Sequence, residues 1–331
     1  MTEKRWQHGL IIGKFRPPHT GHSYLIRTAL EQVERLTLIV CTHVSDTISA
    51  ERRAGWLREL FPTVDVRIWD SADHDPHDSA LWASLTRQWL PGTPDVVFTS
   101  EAYGEAYTRY LGCEHVCLDR ERATVLISAS QILERPLAHL EYLEPPVRAD
   151  FVLRVVLVGA ESTGKTTLAR QLAAHYQTAW VPEYGRPYWD GLLPSSATAY
   201  SSQDFMHIAQ TQQAMEDMLA RHANRVLICD TDAFTTWLWH ELYMDGDAPA
   251  VRAIADGHRH ALHILTGDEI AWEDDGTRDQ PERRHWFQGR FREELTRSGR
   301  PFVEVSGSPE DRLAAATAAI DGLLRAGGAA V

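Results

Sequence analysis

The sequence predicts an α/β protein of two domains, each wound around a mainly parallel sheet. Three observations carry that expectation. From Leu10 to about Asp119, short apolar runs alternate with segments of helical period, the pattern of strands connected by crossover helices. The alternation stops at "EPPVRAD", where Pro145 and Pro146 disfavour helix continuation. It then restarts at Phe151. A chain of 331 residues with 44% hydrophobic content is long enough for two cores. The expected domains are 1–144 and 145–331.

In the first domain the strands read "LIIG", "LTLIVCT", "VDVRIW", "DVVFTS" and "HVCLD". Helices begin near Gly21, Ser49, Asp78 and Glu101, and Gly112 is suited to cap the last of them. "ISASQIL" and "RPLAHLEYL" complete this half. In the second, the strands are "FVLRVVLVG", "TAWVP", "RVLICDTD", "ALHILTG" and "PFVEVSG". The longest helix is expected from about Ser202 to His222, with Phe205, Ile208, Met215, Met218 and Leu219 as its core-facing stripe. The last helix, "PEDRLAAATAAIDGLLRA", is also read as packing.

Composition narrows the partners. A net charge of −13 argues against DNA, whose phosphates demand a basic face, but small phosphorylated ligands need only local positive charge. No apolar run approaches the ~18 residues that span a bilayer, and "MTEKRWQHGL" lacks a signal-peptide core. Cys41, Cys113, Cys117 and Cys229 form no CxxC pair and read as buried free thiols of a cytoplasmic protein. A homo-oligomer is left open. Against 30 arginines stand only three lysines, Lys4, Lys14 and Lys165. With arginine the default cation, Lys14 and Lys165 each call for a chemical reason.

Lys165 has one. "GAESTGKT", Gly159 to Thr166, matches G-x-x-x-x-G-K-[ST] between an apolar strand and a helical segment. Glycines let backbone N–H groups turn toward phosphate oxygens, and the helix start adds partial positive charge. Lys165 can reach the β- and γ-phosphates of ATP, and Thr166 can ligate Mg²⁺. Gly159, Ser162, Thr163, Gly164, Thr166 and Thr167 are therefore candidate nucleotide contacts. "VPEYGRPYWD" follows the next strand, so Glu183 and Arg186 should emerge at the sheet's C-terminal edge. Glu183 is a candidate base for an acceptor hydroxyl. Tyr184, Tyr188 and Trp189 could stack on a flat ring or serve as core aromatics. "LICDTD" puts Asp230 where a Mg²⁺-linked acid is expected, with Asp232 a candidate substrate contact. The charged stretch "DEIAWEDDGTRDQPERRHWF" could be a solvated loop or a lid carrying Arg278 and Arg284 onto phosphates. This half reads as a small-molecule kinase.

The stretch "LIIGKFRPPHTGH" raises the same question for the first half. Gly13 allows close backbone approach, Lys14 adds a cation, and His19 and His22 stand three apart at a helix start. Imidazoles there could stabilise charge developing on a triphosphate attacked at its α-phosphorus. Ser128 and Ser130 of "ISAS" offer donors at another helix start.

Gly13, Phe15, Pro17, His19, Gly21 and His22 form G-x-F-x-P-x-H-x-G-H, which resembles the signature of the nucleotidyltransferase superfamily. "ISASQIL" resembles its second motif. Joined to a P-loop half with "EYGR", "DTD" and "DDGxR", the whole resembles the NadR-like bifunctional proteins of NAD salvage, from about Leu10 to Ser306. "ERRAGWL", with Arg53 and Trp56, and "FTSEAYGEAYTRYLG" also fit its first domain. The resemblance implies a Rossmann-like nucleotidyltransferase followed by a P-loop kinase. The second would phosphorylate nicotinamide riboside to nicotinamide mononucleotide (NMN), and the first would join NMN to AMP from ATP, giving NAD and pyrophosphate. Arg53, Trp56, Tyr184, Arg186, Tyr188 and Asp232 would contact substrates. Two departures stand out. About nine residues precede the first strand, so no helix-turn-helix repressor domain is expected. Leu133 stands where the second motif normally has an arginine, a loss that Arg120 or Arg122 could offset; otherwise the first half could bind NMN or NAD without turnover. A kinase–transferase pair for another metabolite is the remaining alternative.

Overall fold

The computed structural model describes residues 4–75, 77–121, 123–192, 200–244, 246–258, 260–271 and 283–327. It divides into two compact units, Met1–Val147 and Arg148–Val331.

The first unit holds five parallel strands: β1 (Trp6–Gly13), β2 (Val33–Cys41), β3 (Asp65–Trp69), β4 (Val96–Thr99) and β5 (Glu114–Cys117). They are connected by α1 (Thr20–Leu30), α2 (Ala50–Leu60), α3 (Ser79–Trp89) and α4 (Tyr103–Leu111). The order β3-β2-β1-β4-β5 makes β1 the central strand. The chain leaves β1 toward β2 on one side and later returns to β4 on the other, so the crevice at the end of β1 is the topological switch point. Being covered on both faces, the sheet draws two apolar clusters. Ile11, Leu38, Val40 and Phe98 pack on one side with α1 and α2; Leu10, Ile39, Val97 and Tyr107 pack on the other with α3 and α4. Gly112 ends α4 in the left-handed region at φ 82°, as expected of a C-cap glycine. "ISASQIL" gives only the short α5 (Ala129–Glu134), capped by Ser128.

Pro145 and Pro146 do not stop a helix but open one, the one-turn α6 (Pro145–Arg148). Proline lacks only an N–H that a first turn leaves unused.

The second unit has β6 (Leu153–Val158), β7 (Trp180–Val181), β8 (Val226–Asp230), β9 (Leu262–Thr266) and β10 (Phe302–Val305). Its helices are α7 (Lys165–Tyr176), α8 (Gly185–Pro187, continued as a π turn to Leu192), α9 (Ser202–Ala220), α10 (Ala233–Met244), α11 (Pro249–Gly257), α12 (Arg284–Ser298) and α13 (Pro309–Arg325). The sheet is again parallel, in the order β10-β9-β6-β8-β7, with β6 central. Its core packs Val155, Leu157, Ile228 and Ile264 against Leu168, Leu172 and Ile320 of α7 and α13.

The stripe expected on α9 is corrected. Phe205 and Ile208 are buried, but Met218 is exposed and Met215 and Leu219 are only half-buried. The buried face runs Phe205, Ile208, Ala209, Gln212, Glu216 and Ala220. Two polar side chains occupy it because each meets hydrogen-bonding partners inside. The cysteines are free; Cys41 and Cys229 are buried, whereas Cys117 is exposed on the edge strand β5. Among the described residues no helix is long and apolar enough to cross a membrane.

Candidate functional site

In the second unit a cleft opens at the C-terminal ends of β6 and β8. The loop from β6 to α7 turns through Gly159 (φ 138°), Ser162 (φ 55°) and Gly164 (φ 80°). A Cβ at Gly159 would lie 2.9 Å from the Thr266 hydroxyl, so the loop needs glycine there for space as well as for backbone angle. Buried side chains fasten the loop from outside. Gln288 accepts from the Ala160 N–H at 3.0 Å and donates to Thr266 O at 2.7 Å. Arg312 donates to Thr163 O at 2.7 Å, and Thr266 donates to Thr163 Oγ1 at 2.7 Å. Arg284, expected on phosphates, donates to Ser162 O at 3.0 Å and Ile270 O at 2.8 Å, so it grips the loop backbone. Arg278 lies outside the described residues, as does most of the charged stretch around it.

Lys165 Nζ donates to Gly159 O at 3.0 Å and Ala160 O at 2.8 Å. Burial pulls its pKa down, against the opposing fields of Glu183, Asp230 and Glu161. Thr166 Oγ1 donates to Asp230 Oδ2 at 2.5 Å. Burial and the nearby Glu183 push the Asp230 carboxyl up to about 6, against the Thr166 hydrogen bond and Lys165. Its Oδ1 is buried with no hydrogen-bond partner among the described residues. Thr166 and Asp230 thus present hard oxygen donors of the kind Mg²⁺ takes.

Glu183, Arg186 and Thr167 line the same cleft. Its far wall is aromatic, with Trp189, Tyr200, Phe205, Trp239 and Tyr243. Tyr184 and Tyr188 are not among the described lining residues. Tyr188 donates to Asp204 at 2.6 Å, and the Tyr184 hydroxyl pairs with His207 at 3.2 Å. Asp232 also differs from expectation: it is buried behind the wall, accepting from the Thr235 N–H and hydroxyl at 2.9 Å each, while Thr235 and Thr236 face the cleft. Gln212 bridges the cleft floor, accepting from Tyr184 N at 2.9 Å and donating to Thr231 O at 3.4 Å. Sequence reasoning missed Gln212; its signal is a lone amide four residues after Ile208 on an apolar face.

In the first unit the end of β1 leads through Lys14 and Phe15 (φ 47°) into α1. His19 is the N-cap. Its Nδ1 accepts from the Gly21 N–H at 3.1 Å, and His22 Nδ1 accepts from the His19 N–H at 3.3 Å. Accepting at Nδ1 leaves each ring proton on Nε2. The rings lie 4.0 Å apart, and Phe15 packs on His22 at 5.0 Å. A Cβ at Gly21 would lie 2.9 Å from His19 Cε1 and 3.5 Å from Val125, which brings the chain leading to "ISAS" beside the histidines. A Cβ at Gly13 would lie 3.2 Å from the Phe15 ring. Lys14 and Ser130 are exposed, and Ser128 is committed to capping through Gln131 at 2.8 Å.

Arg53 and Trp56, expected as substrate contacts, are both buried. Arg53 spends its fork on Lys14 O, Cys41 O at 3.0 Å, Ile48 O at 3.0 Å and Asp46 at 2.5 Å. It therefore shapes the loop that presents Lys14. Leu133 is half-buried, Arg120 and Arg135 are exposed, and Arg122 lies outside the described residues.

A family model described as an AAA domain matches residues 154–312. Over 326 residues the chain is 32% identical to the trifunctional NAD biosynthesis/regulator protein NadR of Escherichia coli (strain K12), covering 92% of this chain and 80% of that one. The Salmonella typhimurium (strain LT2) protein of the same description matches equally, at 32% over the same shares. A nicotinamide-nucleotide adenylyltransferase of Pyrobaculum neutrophilum is 28% identical over 116 residues, covering 33% of this chain and 65% of that one. The fold is shared with a crystal structure of a NadR protein in complex with NR, at a TM-score of 0.76 and 22% identity over 97% of this chain and 96% of that one. The loop, cleft and histidine pair thus sit in a chain whose likeness to the two bacterial proteins runs through both units: it belongs to the NadR family of NAD-biosynthesis proteins.

Proposed function

We propose that the second unit phosphorylates nicotinamide riboside with ATP, giving NMN, and that the first unit transfers AMP from ATP to NMN, giving NAD and pyrophosphate. The observation that carries the kinase half is the Thr166–Asp230 contact beside Lys165, in one cleft with the Glu183 carboxylate and an aromatic wall. Thr166 and Asp230 would hold Mg²⁺, which when bound neutralises phosphate charge. Lys165 exchanges its two loop carbonyls for phosphate oxygens. Glu183 accepts the proton of the riboside 5′-hydroxyl as that oxygen bonds to the γ-phosphorus and the bond to the ADP oxygen breaks. The aromatic wall suits a flat pyridinium ring, whose positive charge an electron-rich aromatic face favours.

In the first unit the phosphate of NMN attacks the α-phosphorus of ATP, and pyrophosphate leaves. No covalent protein intermediate is required; His19 and His22 donate from Nε2 to the charge that develops, and Lys14 adds its cation. A second reading, in which this unit binds NMN or NAD without turnover, is favoured by Leu133. Purified protein incubated with nicotinamide riboside, ATP and Mg²⁺, with products read by mass spectrometry, separates the readings. NMN together with NAD supports both reactions, NMN alone supports the second reading, and the absence of both overturns the substrate assignment.

A further inference from the structure

We propose that the second unit contains a transition-metal site, formed by Asp232, His260 and His263 behind the wall of the cleft and suited to Zn²⁺. The three residues come from separate places: Asp232 just after β8, His260 just before β9, and His263 within β9. All three are buried, and their ligand atoms lie within 4.8 Å of one another.

The distances favour an ion over a hydrogen-bonded cluster. Asp232 Oδ2 is 3.5 Å from His263 Nε2 and 3.6 Å from His260 Nδ1. Hydrogen bonds of this type run at about 2.7–3.2 Å. Two ligands each about 2.0–2.1 Å from one tetrahedral Zn²⁺ stand about 3.3 Å apart. Among the described residues, His260 Nδ1 and both nitrogens of His263 have no hydrogen-bond partner, although these atoms are buried. Such atoms are costly to leave unmatched.

The surroundings point the ligands the same way. Asp232 commits Oδ1 to Thr235, which leaves Oδ2 for the ion. His260 commits Nε2 to Glu216 Oε2 at 2.9 Å, which leaves Nδ1 for it. A carboxylate behind a ligating imidazole is the arrangement that fixes a metal-binding ring's tautomer. Glu216 is itself held by Arg154 at 3.6 Å. A second grouping, Glu216 with His258 and His260, is shallower and would take the Nε2 that His260 already uses. Two imidazoles and one carboxylate suit Zn²⁺ rather than Mg²⁺ or Ca²⁺, which prefer oxygen donors throughout. The ion would tie β8 to β9 and hold Asp232, and through it Thr235 at the start of α10, which lines the cleft.

The test uses the full chain without a histidine tag, produced with Co²⁺ or Zn²⁺ and dialysed against excess Mg²⁺ so that hard-oxygen sites are filled. Metal per chain is measured by mass spectrometry, and the Co²⁺ form is read by visible absorption. The proposal expects about one ion per wild-type chain and the intense absorption bands of tetrahedral Co²⁺. His263→Gln should lose the ion, Glu216→Gln should bind it about 10–100-fold more weakly, and His285→Gln, on an exposed histidine, should keep it. Should His263→Gln fail to fold, the wild-type stoichiometry and Co²⁺ spectrum decide alone. A wild-type chain without bound metal, an octahedral Co²⁺ spectrum, or metal retained in folded His263→Gln would each overturn the site.

Discussion

Arg53 and Lys14 are 39 residues apart in sequence, yet the buried Arg53 guanidinium donates to the Lys14 carbonyl while its other arm grips Asp46. A charged fork inside the protein is thus spent on the shape of the loop that carries Lys14. Replacing it with lysine keeps the charge and removes the fork. Arg53→Lys should lower NAD formation from NMN and ATP by at least about tenfold, since a lysine cannot hold the Lys14, Cys41 and Ile48 carbonyls together and the loop that carries Lys14 loses its shape. Its rate of NMN formation from the riboside should stay within about twofold of wild type. Equal losses in the two assays would count against the loop-shaping role.

Gly21 should be intolerant for a steric reason. Its missing Cβ leaves room for the His19 ring, whose nearest atom would lie at 2.9 Å. Gly21→Ala should displace that ring at about 1–3 kcal/mol and lower NAD formation from NMN and ATP, while NMN formation from the riboside stays near wild type. Unchanged transferase rates would show that His19 does not need this position.

Asp230→Asn keeps the shape beside Thr166 and removes the charge. NMN formation from the riboside should fall about 100-fold or more, consistent with several kcal/mol of metal-linked stabilisation. NAD formation from added NMN should persist. Loss of both activities would show that Asp230 serves the whole protein's folding instead.

The buried pair Glu216–His260 gives stability a pH signature in chelator-treated protein. Burial works against the charge on each, but His260 opposite Glu216 holds the carboxylate down at about 2, and Glu216 and Asp232 together raise the His260 pKa. The Glu216 contribution is therefore present above its ordinary 4.5 and is lost as pH falls toward 2. The His260 contribution is complete below its ordinary 6.5 and is lost as pH rises through its raised value. His263 works in the opposite sense, because burial lowers its pKa. The informative quantity is thus the wild-type melting temperature minus that of His260→Gln. It should be largest between about pH 4.5 and 6.5 and shrink at alkaline pH. A difference that grows with pH would reverse the assignment.

What the sequence disclosed follows chain locality. The P-loop and the histidine motif are contiguous, and each lies between a strand and a helix, so residue spacing alone suggests their geometry. Gln288 and Arg312 support the P-loop from positions 128 and 149 residues away from the backbone groups they bond, and no local pattern announces them. Asp232 sits two residues after Asp230 and invites the same role, but the turn at Thr231 (φ 68°) directs it behind the wall instead. On α9 the apolar count favoured Met218, whereas the buried stripe includes Gln212 and Glu216 because partners on other elements satisfy them.

The central claim is that one chain carries two separate catalytic sites acting in sequence, and a crossover assay tests it directly. Lys165→Ala and His19→Ala are each supplied with riboside, ATP and Mg²⁺, then with NMN and ATP, and finally mixed and given the riboside. The account predicts that Lys165→Ala makes NAD only from NMN, that His19→Ala makes NMN but no NAD, and that the mixture restores NAD from the riboside. NMN formed from the riboside by Lys165→Ala, or both activities lost in either folded variant, would contradict it.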